Sequence, residues 1–295
     1  MFQPNSCHVV LLLLAGMLAG CEAAEPAPTP APTPPAAPSP RAARLPGRQP
    51  RDYKVVHVFV ALCDNEHQGI VKVPPALGNG KDPANNLYWG ALYGVKTFFA
   101  KSPHWTLIKD HVRASLAEVL ERCVFRSNGL SPPVYVVADA FDGERMALTL
   151  TAFLKSAAGR YAMKAEVGDP DHPAVLQAGA HSDLVAFVGH NGLMDYTFSH
   201  YFPRTDAPKP VAAVVLACKS HDYFIEPLDK AKCPPLITTR QFMAPEAYTL
   251  DAILRSWAAG EPPETVRRRA ADAYARYQKC SRRAALGIFV AGWGD

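Results

Sequence analysis

The sequence predicts a single α/β domain over residues 51–295, built as a three-layer sandwich around a mainly parallel sheet. Two observations carry this prediction. Four short, valine-rich apolar runs are typical of strands buried on both faces. Segments with helical spacing of apolar residues lie between them, and strands that alternate with helices favour a parallel sheet covered on both sides.

Each predicted strand is a nearly continuous apolar run. The four runs are KVVHVFVALCD (54–64), PVYVVADAF (133–141), DLVAFVGH (183–190) and VAAVVLAC (211–218). A shorter strand is expected at 236–239, and LGIFVAGW (286–293) is expected to form a last one.

The helices are predicted from apolar residues that recur every three or four positions. In the segment 86–102, for example, Leu87, Ala91, Val95 and Phe98 share one helical face. The same reasoning predicts helices over 111–123 and 145–159, a helix that begins near Pro245, and a helix over about 264–283.

The first twenty residues read as a secretory signal. The apolar run is too short for a comfortable transmembrane helix and ends in small residues before Cys21. LAGC (18–21) resembles the lipobox of bacterial lipoproteins, which implies cleavage before Cys21 and lipidation of its thiol. Glu22 at the next position then favours the outer membrane, facing the periplasm or the exterior. The alternative is an ordinary signal peptide cleaved near a cysteine.

Residues 21–50 are rich in Pro and Ala and poor in large apolar side chains, so they are expected to act as a tether rather than to join a core. The whole chain has a modest formal charge of +4 with scattered Lys and Arg, which predicts no nucleic-acid partner. The domain over residues 51–295 carries five cysteines, an odd number that cannot all pair internally. If Cys218 stays a thiol, the other four could form two disulfides.

Polar residues follow the third and fourth valine-rich runs where each strand is expected to end. His190 follows one run and Cys218 ends the next, and the carboxyl ends of parallel strands share one edge of a sheet. If the two strands are neighbours, about 4.8 Å apart, the imidazole and the thiol can meet. A thiolate formed beside an imidazole is a nucleophile for acyl carbons.

An apolar strand that ends in His and Gly, followed by one that ends in Ala-Cys, resembles the catalytic pattern of caspase-like cysteine peptidases. Here Asn191 stands between His190 and Gly192. The resemblance implies a caspase-like fold, a peptide or protein substrate, His190 as general base and Cys218 as nucleophile. It also implies an oxyanion hole made by backbone N–H groups near Gly192 and at Cys218.

Three further expectations concern the substrate pocket, a metal and the alternative function. Asp64 and Asp139, near the ends of the first two valine-rich strands, are candidates for a pocket that binds a basic substrate side chain. His67, His190, Cys218 and His221 are of types that zinc accepts, but their spacing matches no zinc motif, so neither a metal nor another cofactor is expected. The alternative to a membrane-anchored peptidase is a non-catalytic envelope lipoprotein that binds a ligand or protein at the same edge.

Overall fold

The computed structural model describes residues 51–112, 114–168, 171–195, 202–206 and 208–294. The predicted signal peptide (1–20), Cys21 and the Pro/Ala-rich tether (21–50) lie outside these residues. No helix among the described residues combines the length and the apolar character that crossing a membrane requires.

The chain folds as an α/β structure around a large mixed sheet that is mainly parallel. Eight strands lie in the order β10-β9-β8-β7-β1-β4-β3-β2, and β5 pairs with β6 in a separate two-stranded sheet. The strands are β1 Lys54–Ala61, β2 Trp105–Lys109, β3 Val119–Ser127, β4 Val134–Phe141, β5 Ala162–Glu166, β6 Val175–Gly179, β7 Leu184–Val188, β8 Ala212–Leu216, β9 Pro235–Thr239 and β10 Phe289–Ala291.

Helices flank the sheet on both faces. They are α1 Val95–Lys101, α2 Met146–Ala157, α3 Ser220–Ala231, α4 Ala247–Ala258, α5 Pro263–Gln278 and α6 Arg282–Leu286, with single 3-10 turns at Gly143–Arg145 and Gly192–Met194. Because successive side chains of a strand point to opposite faces, Val56, Val58 and Val60 of β1 pack with α1, α4, α5 and α6. Phe59 and Ala61 pack on the other face with α2 and α3. This arrangement is compatible with the predicted three-layer sandwich.

The four valine-rich runs form the parallel centre of the sheet, as predicted. β1 pairs in parallel with both β4 and β7, β7 pairs with β8, and β8 pairs with β9. Every residue of β4, β7 and β8 is buried, which agrees with their continuous apolar character. The predicted helix over 145–159, the strand at 236–239 and the last strand are also present.

One helix prediction is wrong, and another is correct only in part. The segment 111–123 is not helical: it passes through turns and enters β3, which pairs antiparallel with β4 along seven residue positions. Its backbone hydrogen bonds therefore go to a neighbouring strand, and this pairing outweighs the helical spacing. In the segment 86–102 only Val95–Lys101 is helical, because turns occupy most of the residues before it.

Candidate functional site

The two predicted site residues follow neighbouring parallel strands. β7 and β8 pair in register, with Val188 opposite Leu216 at their ends. His190 and Cys218 each stand two residues beyond that last pair, so equal steps bring both to the same edge of the sheet. We refer to this edge, formed by the segments that follow β1, β4, β7, β8 and β9, as the rim.

Asn191 joins the two strand ends. Its side-chain Nδ2 donates a hydrogen bond to the backbone oxygen of Cys218 at 2.8 Å, while its Oδ1 accepts one from the N–H of Leu193 at 3.2 Å. Asn191 is fully buried. The residue that departs from the His-Gly pattern therefore fixes the His190 segment to the Cys218 segment.

His190 is held by an acidic residue that the sequence analysis did not single out. Its Nε2 lies 2.7 Å from Oδ2 of Asp195, and the same oxygen accepts a hydrogen bond from the backbone N–H of Gly69 at 3.2 Å. A carboxylate at Nε2 favours the tautomer with its proton there, which leaves a lone pair on Nδ1. The imidazole is nearly buried, and so this orientation is well defined.

Cys218 occupies a sharp connection between β8 and α3. Lys219, the next residue, has a left-handed backbone (φ 49°), and α3 begins at Ser220. The partial positive charge at the N-terminus of the twelve-residue α3 favours a thiolate nearby. Cys218 is partly exposed, and its Sγ lies 3.5 Å from the backbone oxygen and 3.4 Å from the backbone nitrogen of Met243.

Gly192, the predicted oxyanion donor, is buried and begins the 3-10 turn after His190. Its N–H already donates to the backbone oxygen of His190 at 3.1 Å. An acyl oxygen therefore has to compete with this internal hydrogen bond.

Asp64, a predicted substrate-binding residue, lies at the rim but turns toward its own loop. Its Oδ1 accepts hydrogen bonds from the N–H groups of Glu66 and His67, and its Oδ2 lies 3.0 Å from His67 Nδ1. The hydrogen bond to Asp64 raises the pKa of His67. Asp64 is buried, so its carboxylate shapes the turn after β1.

Asp139, the other predicted substrate-binding residue, is not brought to the rim. It lies inside β4, two residues before the strand ends, and is 1% exposed. Its Oδ1 accepts from Arg122 Nε at 2.5 Å, and its Oδ2 accepts from Arg122 Nη2 at 2.7 Å and lies 3.0 Å from His57 Nε2. The interpretation of Asp139 as a substrate contact fails because its carboxylate belongs to a buried ion pair.

The segment 62–94, between β1 and α1, covers part of the rim. The side-chain amide of Asn86 bonds both the N–H (3.0 Å) and the carbonyl (2.8 Å) of Cys63, and Gln68 Nε2 donates to the oxygens of Leu62 and Gly143. Both amide side chains are buried. They tie this covering segment to the ends of β1 and β4, beside the His190 and Cys218 segments.

The five cysteines of the described residues form no disulfide, so the two disulfides considered from the sequence are not present. Burial raises the pKa of Cys63 and of Cys233 to about 12, and burial raises the pKa of Cys123 as well. Cys218 and Cys280 are the two that reach the surface in part. Cys218 is therefore the accessible thiol of the rim.

The four residues weighed for zinc have separate partners. His67 pairs with Asp64, His190 with Asp195, and Cys218 lies against Met243. His221 Nδ1 lies 3.0 Å from the Thr238 hydroxyl, and burial lowers the pKa of His221. The structure thus does not gather them around one ion.

A large surface groove of about 910 Å³ lies away from this pair. It runs between α1, α4 and α5, and its lining includes Tyr93, Phe98, Tyr248 and Tyr277 but neither His190 nor Cys218. Volume alone does not identify a catalytic site, and the candidate base and nucleophile, His190 and Cys218, lie at the rim.

No protein-family model matches the chain, and no curated protein and no solved structure matches it either. Sequence reasoning placed His190 and Cys218 correctly at adjacent strand ends but missed Asp195. The sequence offers only the presence of an acidic residue five positions after His190, and the 3-10 turn between them brings it back to the imidazole.

Proposed function

We propose that the chain is a thiol-dependent peptidase of the bacterial cell envelope, anchored through a lipid on Cys21. The supporting observation is the placement of His190 and Cys218 at the ends of two in-register parallel strands, joined by Asn191. The resemblance of the two strand ends to those of caspase-like peptidases supports the same reaction class.

In the proposed reaction His190 Nδ1 accepts the proton of the Cys218 thiol. The thiolate sulfur bonds to the carbonyl carbon of a peptide, and the carbon–nitrogen bond breaks as His190 returns that proton to the leaving amine. A water molecule, deprotonated by His190, then attacks the thioester carbon, the carbon–sulfur bond breaks, and His190 returns the proton to the Cys218 sulfur as the acid leaves. Asp195 keeps the imidazole oriented throughout, and the N-terminus of α3 stabilises the thiolate.

The oxyanion of this reaction needs backbone donors. The N–H groups at Gly192 and Cys218 are the proposed ones, and each well-placed donor contributes about 2.7–4 kcal/mol in studied enzymes. For Gly192 this requires that the substrate displace its 3.1 Å hydrogen bond to His190.

The second candidate is a non-catalytic binding protein that uses the same rim. Two observations favour it: the segment around Met243 lies against the Cys218 sulfur, and the Gly192 N–H is engaged internally. The first contact covers the Cys218 sulfur, and the second occupies the N–H that would bind the oxyanion. In this case a peptide ligand would occupy the rim without being cleaved.

A peptide-library digest with the full chain decides between the two. Cys218→Ala and His190→Ala should each lower cleavage by on the order of 10⁴-fold or more, as loss of one member of a nucleophile–base pair does. Cys280→Ala, which removes the other partly exposed thiol, is the matched control and should leave cleavage unchanged. Peptide binding without cleavage, equal in all four proteins, would support the binding candidate instead.

A further inference from the structure

Four side chains of metal-ligand type meet where β2 ends and β3 begins. Asp110 and His111 follow β2, while Glu121 and Cys123 alternate along β3 and so point to the same face. One ligand atom each from Asp110, His111 and Glu121 lies within 4.8 Å of the others. Cys123 Sγ lies 3.0 Å from Asp110 Oδ1 and 3.9 Å from Glu121 Oε1.

These separations are close to those between the ligands of tetrahedral zinc. His111 Nε2 lies 3.7 Å from Asp110 Oδ2, and the other ring nitrogen, Nδ1, lies 3.7 Å from Glu121 Oε1; only one of the two nitrogens would bind the ion. Zinc bonds of about 2.0–2.3 Å place neighbouring ligand atoms about 3.3–3.8 Å apart in a tetrahedron. We propose that Asp110, His111, Glu121 and Cys123 bind a divalent transition-metal ion of the zinc class.

The side chain of Lys96 already places a positive charge among these groups. Its Nζ lies 3.0 Å from Asp110 Oδ2 and forms a short hydrogen bond with Glu121 Oε1. The proposed metal ligands include these same two carboxylates, so metal binding requires the Lys96 ammonium group to move away. Lys96 is therefore a competitor for the site.

Glu121 is oriented for this role by a neighbour outside the ligand set. Trp89 Nε1 donates to Glu121 Oε2 at 2.8 Å, which leaves Oε1 facing Asp110, His111 and Cys123. Hydrogen bonds of this kind orient ligating carboxylates in metal sites. Glu121 and Cys123 are buried, whereas the His111 side chain is 72% exposed and leaves a path for the ion.

The mixture of donors selects the class of ion. A thiolate with an imidazole suits zinc or cobalt, whereas calcium and magnesium prefer sites made of oxygen alone. Binding exchanges the proton of the Cys123 thiol for a bond between sulfur and the ion, and that proton is released to solvent. The ion would fasten the residues after β2 to β3.

This site is independent of the proposed peptidase. In the strand order, β3 is four positions from β8, a separation of about 19 Å at 4.8 Å per strand. A variant that loses cobalt binding therefore does not test the peptidase proposal, and a variant that loses peptide cleavage does not test the metal site.

Cobalt is the probe for the test, because tetrahedral Co²⁺ bound by a thiolate has characteristic d–d and sulfur-to-metal charge-transfer bands. The purified full chain should bind one Co²⁺ with both sets of bands, and Zn²⁺ should displace it. His111→Ala should weaken Co²⁺ binding by more than the roughly 10- to 100-fold that an outer-shell change costs. His104→Ala, an exposed histidine just before β2, is the control and should bind as the unaltered chain does.

Two further variants address the competing interpretation, a plain salt-bridge network. Lys96→Met should tighten Co²⁺ binding because the competing ammonium is gone. Cys123→Ser should remove the charge-transfer band. The proposal is overturned if the unaltered chain shows no tetrahedral cobalt spectrum, or if His111→Ala and His104→Ala bind the ion equally.

Discussion

The side-chain amide of Asn191 donates to the backbone oxygen of Cys218 across 2.8 Å, so the residue after the proposed base is linked to the backbone of the proposed nucleophile. The pairing between β7 and β8 ends before these residues, because the last paired residues are Val188 and Leu216. The link therefore replaces sheet pairing where the chain leaves the sheet. It keeps the imidazole and the thiol on segments that cannot separate freely.

We predict that Cys218 is the fastest-alkylating thiol of the domain. An imidazole beside a thiol favours the reactive thiolate, so labelling should persist near about pH 6. Iodoacetamide labelling with peptide mapping measures each cysteine separately. Cys280 serves as an accessible thiol for comparison, and the buried Cys63 and Cys233, with pKa values raised to about 12, should label only on unfolding.

The dependence of this labelling on His190 tests the pairing. In His190→Ala the labelling of Cys218 should move up by more than about one pH unit while Cys280 is unaffected. If Cys218 titrates identically with and without His190, the two strand ends are structural and the peptidase proposal is lost.

We predict that Asp195 acts through His190 as a positioning residue. Asp195→Asn keeps the shape of the side chain but favours the wrong tautomer of the imidazole, and cleavage should fall by up to about 10⁴-fold with little change in KM. Asp229→Asn, at the far end of α3, is the control and should be neutral. Equal kcat values for the two variants would remove Asp195 from the mechanism.

Stability should decline below about pH 6.5 because of His57. Its Nδ1 accepts the N–H of Gly179 at 3.2 Å, so the ring is neutral with its proton on Nε2 toward Asp139, and burial lowers the pKa of His57. The unfolded chain therefore takes up this proton first as the pH falls. Between about pH 7.5 and about pH 5.5 the free energy of unfolding should therefore fall, by at most about 1.4 kcal/mol, the limit that an ordinary histidine in the unfolded chain sets.

Urea unfolding at the two pH values measures this loss, and the variant His57→Gln isolates it. Glutamine keeps a donor toward Asp139 but does not titrate, so the stability of the His57→Gln variant should fall less between the two pH values than that of the unaltered chain. His104→Gln, at an exposed position, should follow the unaltered chain. Parallel pH profiles for His57→Gln and the unaltered chain would contradict a neutral His57.

Breaking the buried Arg122–Asp139 pair should be costly. Arg122→Met leaves the Asp139 carboxylate buried without its bidentate partner, and such a change destabilises by about 3–5 kcal/mol. Adding Asp139→Asn should recover part of this, because the amide oxygen still accepts from His57. Arg126→Met on the same strand should stay within about 0.5 kcal/mol in the same denaturation series.

Membrane attachment is predicted to depend on Cys21. Each buried lipid CH₂ contributes about 0.8 kcal/mol, so several acyl chains would hold the mature protein stably. Cys21→Ser should move the protein from the membrane fraction to the soluble fraction, with Cys7→Ser as the control. A Cys21→Ser protein that stays in the membrane with its signal removed would place the anchor elsewhere.

The parts of the fold that could be predicted are those whose burial leaves a mark on the sequence. The strands β1, β4, β7 and β8 are buried on both faces, so apolar residues fill them and their ends locate His190 and Cys218. β3 carries Glu121 and Arg122 inside, which interrupts the apolar run and hides the strand.

The functional prediction for Asp139 failed for a related reason. A carboxylate near the end of an apolar run resembles a strand-end residue, yet its partners Arg122 and His57 come from two other strands. Only the order of the strands in the sheet brings these three together. Asp195 likewise reaches His190 through a 3-10 turn that the sequence pattern does not predict.

The order of the strands also sets when the site can form during synthesis. β1 lies between β4 and β7, and about 120 residues separate the end of β1 from the start of β7. A ribosome at about 5–20 residues per second needs roughly 6–24 s to make that stretch, during which one edge of β1 has no partner. The rim that carries His190 and Cys218 is therefore assembled late, and a chain released before β7 would leave one edge of β1 with unpaired backbone N–H and C=O groups.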